Sequence, residues 1–377
     1  MSPGRLPRPR RRPEAPDGAH PLNRRVVRAL GGVLLASALA GAAWLATGRP
    51  PDYGSLARAD AEPDTSPSLR FRVEQVALET TTGRSLSCML RTPVVVGAAA
   101  SEPTLLIAGG LATGRRAVLL LDTLYAGAAL ACDYPWAPLL RARGARLVWR
   151  LPRLRGEMVA TPGMLEVAAE FLATRPEADT ARLVGLGASL GVPPIAAWAA
   201  RDPRARAVAL VYGGADLGRV IEATFARDVP AWVPTRFLGW LAGVALRPVE
   251  PGRTVGGIAP RPLLLIAGAD DAWIPRASVE SLYAAAGEPK RVIWLGTGHM
   301  GPTNEILLQM LADSVGQWMR EVRPAAPQQR SGSAGAGSAR RTGLHPRFNV
   351  ASSSSPNVWA LYWSGPIATQ STTQRQS

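Results

Sequence analysis

The heptapeptide Gly185-Leu186-Gly187-Ala188-Ser189-Leu190-Gly191 constrains this chain more than any other stretch. It follows the apolar run Ala181-Arg182-Leu183-Val184 and leads into a helix-compatible segment, Leu190 to Arg201. The pattern G-x-S-x-G therefore stands where a strand gives way to a helix. So sharp a turn forces the serine into a strained conformation, and the flanking positions must be small for the two elements to pack. A serine held this way presents its hydroxyl at a strand end, as a nucleophile must. A plain glycine-rich turn has the same five letters, so the reading depends on an acid and a base elsewhere in the chain.

Both are present. The apolar strand Pro262-Leu263-Leu264-Leu265-Ile266-Ala267 runs into Gly268-Ala269-Asp270-Asp271-Ala272-Trp273-Ile274-Pro275. A second, Arg291-Val292-Ile293-Trp294-Leu295, runs into Gly296-Thr297-Gly298-His299-Met300. Each polar group lies just past the carboxyl end of an expected strand, where open α/β sheets gather their sites. Of the three histidines, His20 lies in an Arg/Pro-rich leader and His345 in a Ser/Gly-rich tail. His299 is the imidazole left in the expected folded domain, and imidazole is the usual base for a serine near neutral pH.

From about Leu69 to Arg323 the chain resembles the α/β-hydrolases, and among them the dienelactone-hydrolase-like and acyl esterase branches. The motifs that carry the resemblance are GLGASLG, IAPRPLLLIAGADDAWIP and VIWLGTGHM, in the order Ser…Asp…His that this superfamily uses. The resemblance implies an α/β fold: a mostly parallel eight-stranded sheet, helices on both faces, and a small cap insertion. It implies Ser189 as nucleophile, Asp271 as acid and His299 as base. Asp271 is preferred to Asp270 because Asp271-Ala272-Trp273-Ile274-Pro275 fits the family pattern D-x-x-[VI]-P. Asp216, after the strand Ala207 to Tyr212, is a lesser candidate, since some members carry the acid there. The oxyanion hole is expected from the backbone N–H of Leu190 and from Gly110, with Leu111 as the alternative for the latter. Many relatives have His-Gly in that second loop, where this chain has Ala108-Gly109. Pro193-Pro194 falls early in the helix behind the serine and is expected to distort its first turn.

The net charge of +15 first suggests a nucleic-acid partner. Its distribution excludes one. Residues 1–28 hold eight arginines against Glu14 and Asp17, and residues 324–377 hold five arginines and no acid, which leaves only +4 for the 295 residues between. Nor are basic and aromatic residues interleaved as a base-stacking surface requires.

After the basic leader, residues 29–47 are uncharged and rich in Ala, Gly and Leu. About 20 apolar residues span a bilayer, so a signal-anchor helix is expected here. A cleaved export signal at Ala38-Leu39-Ala40 and twin-arginine export through Arg24-Arg25 are the alternatives. Each puts the catalytic domain beyond the inner membrane, as a single-pass protein or a periplasmic one. Residues 48–68 read as a linker and residues 324–377 as a disordered tail. Phe71 to Glu79 and Ser85 to Thr92 form a hairpin about Thr82-Gly83-Arg84. Strands then alternate with helices at Arg115–Tyr125, Met158–Ala173, Leu190–Arg201, Arg276–Ala286 and Asn304–Arg320. Residues 217–258 interrupt the alternation with Phe225, Trp232, Phe237, Trp240 and Leu241, and the family places a cap there. Cys88 and Cys132 are the only cysteines. The family strand order would make their strands neighbours; two free thiols are expected, because bridging adjacent strands needs special geometry.

These features converge on a serine hydrolase of esters or thioesters acting through an acyl-enzyme, with a small-molecule substrate and no metal or organic cofactor. Its rivals are a peptidase of the same fold and a membrane-anchored binding module with little turnover.

Overall fold

The computed structural model describes residues 36–37, 39–64, 70–94, 102–121, 124–141, 145–230 and 232–322. The basic leader and the C-terminal tail lie outside the described residues.

Nine strands form one sheet: β1 (Leu56–Pro63), β2 (Phe71–Thr80), β3 (Ser85–Pro93), β4 (Thr104–Ala108), β5 (Ala129–Cys132), β6 (Leu183–Ala188), β7 (Ala207–Val211), β8 (Leu263–Gly268) and β9 (Lys290–Leu295). Their order is β1-β2-β3-β5-β4-β6-β7-β8-β9. The first three are antiparallel, and β5 through β9 run parallel. The helices are α1 (Ala145–Ala173), α2 (Val192–Ala199), α3 (Leu217–Asp228), α4 (Thr235–Ala245), α5 (Pro251–Thr254), α6 (Arg276–Ala285) and α7 (Glu305–Val322).

Strand side chains alternate between two cores, as a period of two demands. Leu106, Val208, Leu210, Leu263 and Leu265 point into one, against α1, α2 and Leu282 of α6. Leu105, Ile107, Ala209, Val211, Leu264 and Ile266 point into the other, against Ala117, Val118 and the apolar stripe Leu307, Leu311, Val315 and Trp318 of α7. The inner parallel strands β4 to β8 are buried almost throughout, which is why they read as apolar runs, whereas the edge strand β9 is mostly half-buried.

The structure differs from the expectation in several places. Among the described residues there are nine strands and not eight, because β1 adds to β2 from within the stretch read as a linker. β1 is exposed along nearly its whole length and carries Arg58, Asp60 and Glu62, charges that keep an open edge from pairing further. Residues 114–121 form a 3-10 rather than an α-helix. α1 starts well before Met158 and runs through Pro152 and Pro162. Arg155 of α1 donates to the carbonyls of Gly48 and Ala245, so tertiary contacts hold the turn that proline weakens.

The expected free thiols are also corrected. Cys88 of β3 and Cys132 of β5 form a disulfide. They are direct cross-strand partners with Cα atoms 3.9 Å apart. The neighbouring pair carries the ladder bond from Asp133 N–H to Ser87 O, which makes the cysteine pair the close, non-hydrogen-bonded kind.

The anchor over residues 29–47 is corrected as well, and with it the membrane as a partner and the inner-membrane or periplasmic placement. Among the described residues no helix is long and apolar enough to cross a membrane. Residues 29–35 and 38 lie outside the described residues; residues 36–37 and 39–46 are helical. Leu45 is buried.

Candidate active site

The register of the parallel strands decides which loops meet. Ala108 of β4 pairs with Gly187 of β6, and Gly268 of β8 with Leu295 of β9. Ser189, Gly110, Asp271 and His299 stand one to four residues past the ends of β6, β4, β8 and β9, so their loops emerge at one edge of the sheet.

Ser189 has a φ of 52° in the left-handed region, a rare conformation for a residue with a Cβ. A 3-10 turn, Ser189–Gly191, follows and passes into α2, whose first turn holds Pro193 and Pro194. The glycines are required by close approach. A Cβ on Gly191 would lie 1.8 Å from the Ala108 carbonyl oxygen, and one on Gly187 2.8 Å from the Gly191 oxygen. The helix can sit this near the strands only where both side chains are absent.

The turn aims Ser189 Oγ at His299 Nε2, 2.9 Å away. His299 Nδ1 is 2.7 Å from Asp271 Oδ2. The carboxylate can only accept, so Nδ1 carries the proton and Nε2 is left free to accept from the serine. Asp271 Oδ1 is held by the backbone N–H groups of Trp273 (2.8 Å) and Ile274 (3.1 Å). One oxygen thus fixes the loop and the other fixes the imidazole. The Asp271 side chain is 2% exposed and that of His299 17%. The carboxylate is shielded while the ring reaches the surface.

The other acids are not brought to the histidine. Asp270 and Asp216 are exposed. Asp216 caps α3, and its backbone N–H is taken by Glu250 at 2.8 Å. Gly110 stands two residues past β4, and its carbonyl accepts from Thr113 and Gly114 N–H. Leu111 packs against the first core. Among the described residues no cluster of three or more His, Cys, Asp or Glu is arranged to hold a metal.

Three aromatic and polar neighbours escaped the sequence reading. Tyr212, at the end of β7 with a φ of 54°, meets the His299 ring edge-on at 5.7 Å. Its hydroxyl bonds Thr297, and burial pushes its pKa up to about 12, so it stays neutral beside the imidazole. Trp273 lies 5.9 Å from His299, its ring tilted 38° to the imidazole. Arg227, near the end of α3, stacks over Trp273 at 4.7 Å. The position of Trp273 two residues past Asp271 was the available signal; nothing near Arg227 in the sequence points to it.

The insertion between β7 and β8 folds as a helical hairpin, α3 and α4, that reaches the site through Arg227 and through Val220, which packs with Trp273 and Ile274. No family model matches the chain, and no curated protein sequence does. Solved structures do. An acetyl xylan esterase from Paenibacillus sp. R4 superposes with a TM-score of 0.50 at 18% identity, over 74% of this chain and 93% of its own. The fold is that of an α/β-hydrolase. Acetyl xylan esterase 1 from Thermoanaerobacterium sp. JW/SL YS485 is similar at 15% identity, over 70% of this chain and 88% of its own, with a TM-score of 0.48. An esterase domain from a Rhodothermus marinus protein reaches 21% over 66% and 98%, with a TM-score of 0.45. On the α/β-hydrolase frame, β1 is an additional edge strand and α3–α4 the inserted cap.

Proposed function

We propose that this protein is a serine hydrolase that cleaves carboxylic esters or thioesters through an acyl-enzyme, in the dienelactone-hydrolase-like and acyl esterase part of the α/β-hydrolases. The observation that carries the reading is the unbroken hydrogen-bonded line Ser189–His299–Asp271, started by a serine of positive φ. In this reading Ser189 Oγ attacks the carbonyl carbon as His299 Nε2 takes its proton. The imidazolium is stabilised by Asp271, which stays ionised and fixes the tautomer. The oxyanion is held by the N–H groups of Leu190 and Gly110. Collapse breaks the acyl–oxygen or acyl–sulfur bond, and His299 returns the proton to the leaving alcohol or thiol. Water then attacks the acyl-enzyme by the same route and releases the acid. Tyr212 and Trp273 both stand against the imidazole and limit the positions its ring can take.

The test is Ser189→Ala with p-nitrophenyl acetate and a fluorophosphonate label. Turnover should fall by at least about 10⁴-fold, and labelling should vanish while the circular dichroism spectrum is kept. Labelling that survives the substitution would move the nucleophile to another serine.

A further inference from the structure

Gly109 and Gly110, the two residues past β4, share a peptide unit with a glycine on each side. With no side chain on either flank, its plane can turn over at small cost. The peptide is trans, so its carbonyl and its N–H point in opposite directions. Whatever grips the Gly109 oxygen therefore decides where the Gly110 N–H is aimed, and that N–H is an expected donor of the oxyanion hole.

The grip comes from a tyrosine. Tyr134, two residues past β5, donates its hydroxyl to the Gly109 carbonyl at 2.6 Å. Its side chain is buried, and burial pushes its pKa up, so the phenol keeps its proton and remains a donor near neutral pH. The ring is itself held. It stacks on Trp136 at 4.8 Å, and the Trp136 indole N–H donates to Thr161 Oγ1 of α1 at 3.1 Å. Thr161 in turn donates to the Glu157 carbonyl one turn back. A line of contacts thus runs from α1 to a single peptide at the end of β4.

The surrounding loop is anchored by other groups. The Gly110 carbonyl accepts from Thr113 and Gly114 N–H and from Thr113 Oγ1. Asp133, beside Tyr134, accepts from Arg115 N–H at 2.9 Å. The Gly110 N–H has no such partner among the described residues, and a Cβ built on Gly110 would meet nothing within 4 Å. Ala108, two residues back, lies against the turn of the nucleophile, where a Cβ on Gly191 would stand 1.8 Å from its oxygen. The Gly110 N–H is therefore unengaged, turned away from the buried phenol, and next along the loop from the turn of Ser189.

We propose that Tyr134 is a positioning residue, whose hydroxyl fixes the Gly109–Gly110 peptide so that the Gly110 N–H meets the oxyanion formed when Ser189 attacks an ester carbonyl. The assignment rests on the proposed serine-ester chemistry and adds a side chain to it. No bond is made or broken at Tyr134. It acts through the peptide, and its contribution belongs to the transition state, where negative charge grows on the substrate oxygen.

Tyr134→Phe keeps the ring on Trp136 and removes the hydroxyl. On p-nitrophenyl acetate kcat should fall about 10- to 100-fold, short of the roughly 10²–10³ lost with an oxyanion donor itself, while KM stays within about twofold. The inhibition constant of a trifluoromethyl ketone, whose adduct with Ser189 carries the same oxyanion, should rise by a similar factor. Tyr125→Phe is the control. Its hydroxyl makes an equivalent buried bond to the Pro103 carbonyl, at the opposite end of β4. Its loss should shift the urea midpoint as much as Tyr134→Phe does and leave kcat within about twofold. Crystal structures of the wild type and Tyr134→Phe read the peptide directly. The Gly109 carbonyl should hold one orientation in the wild type and turn over, or divide between two, in the variant. A peptide unchanged in Tyr134→Phe overturns the proposal whatever the turnover. An unchanged kcat, a rise in KM alone, or an equal loss of kcat in the two variants overturns it too. Wild-type protein that neither hydrolyses the ester nor takes a fluorophosphonate, yet whose peptide turns over in Tyr134→Phe, upholds the grip on the peptide and removes the serine-ester reading instead.

Discussion

The strand ends that hold Ser189, Asp271 and His299 and the α3–α4 hairpin that overhangs them are neighbours built by different means. At the strand ends every group is tied twice. Asp271 is bonded to two backbone N–H groups and to the imidazole, and the turn at Ser189 is wedged against β4 with no space for a methyl. The hairpin is tied at its base, where Leu217 and Leu246 are buried against Ala197, Arg155 donates to the Ala245 carbonyl and Glu250 accepts from the Asp216 and Leu217 N–H groups. Its largest aromatic side chains face water, and it meets the site through one stacked arginine and Val220. The first region fixes each side chain through several contacts; the second presents apolar side chains to solvent and touches the candidate site at few points.

The contrast is broken most severely at Asp271. Asp271→Asn keeps the shape of the carboxylate and the bonds from Trp273 and Ile274, but it offers His299 Nδ1 an amide in place of an anion. Turnover should fall by about 10⁴-fold, the scale seen when the imidazole is left in the wrong tautomer. Asp270→Asn and Asp216→Asn, both exposed, should stay within about threefold, a scale set by surface substitutions away from the chemistry. Steady-state kinetics on p-nitrophenyl acetate ranks the three. If Asp216→Asn were the crippling change, the acid would belong after β7 and the geometry at Asp271 would be structural.

Paired glycine substitutions sharpen the same contrast in stability. Gly191→Ala places a methyl 1.8 Å from the Ala108 oxygen, and neither backbone can retreat without moving β4 or α2. A loss of about 3 kcal/mol or more is expected, in the range of severe overpacking. Gly243→Ala in the cap places its methyl 3.2 Å from Gly218 Cα, a contact that a few tenths of an ångström relieve. Its helix-propensity gain of up to about 1 kcal/mol offsets much of that strain, so its urea midpoint should stay near wild type. Equal losses at the two positions would mean that the hairpin is as rigid as the strand ends.

The parts that were legible in the sequence are those whose signal is local. The carboxyl ends of β6, β8 and β9 could be read because apolar runs stop abruptly at glycine and a polar residue, as at Leu295-Gly296-Thr297-Gly298-His299. The cap was legible as an interruption of that alternation. β1 was not, since Leu56–Pro63 buries almost nothing and exists because the edge of β2 offers backbone partners. The bridge between Cys88 and Cys132 depends on cross-strand register, which no spacing along the chain encodes. The stretch 29–47 misled because its composition fits a membrane span, whereas among the described residues no helix is long and apolar enough to cross a membrane, and Leu45 is buried. Arg227 and Trp273 are brought together only by the packing of α3 over the acid loop, and neither has a local pattern to mark it.

That last contact carries the smallest effect and is the finest probe of how the two regions communicate. Arg227 is exposed, so its cation–π contact with Trp273 is worth roughly 0.5–1 kcal/mol. Arg227→Gln removes the charge and keeps the length. If the contact only steadies the cap over the site, KM for a dissolved ester should rise about two- to fivefold, as that energy implies, with kcat held within about twofold. Arg227→Lys retains a cation over the indole and should recover part of the loss. A fall in kcat at constant KM would locate the effect elsewhere. Trp273 stands against the imidazole, so loosening it would then disturb His299 itself, and the hairpin would be part of the machinery that aligns the proton transfer rather than a yielding surface beside it. Measuring both constants for the two variants separates these outcomes, because steadying the cap acts on substrate held in the ground state, whereas ring alignment is felt only as the serine gives up its proton.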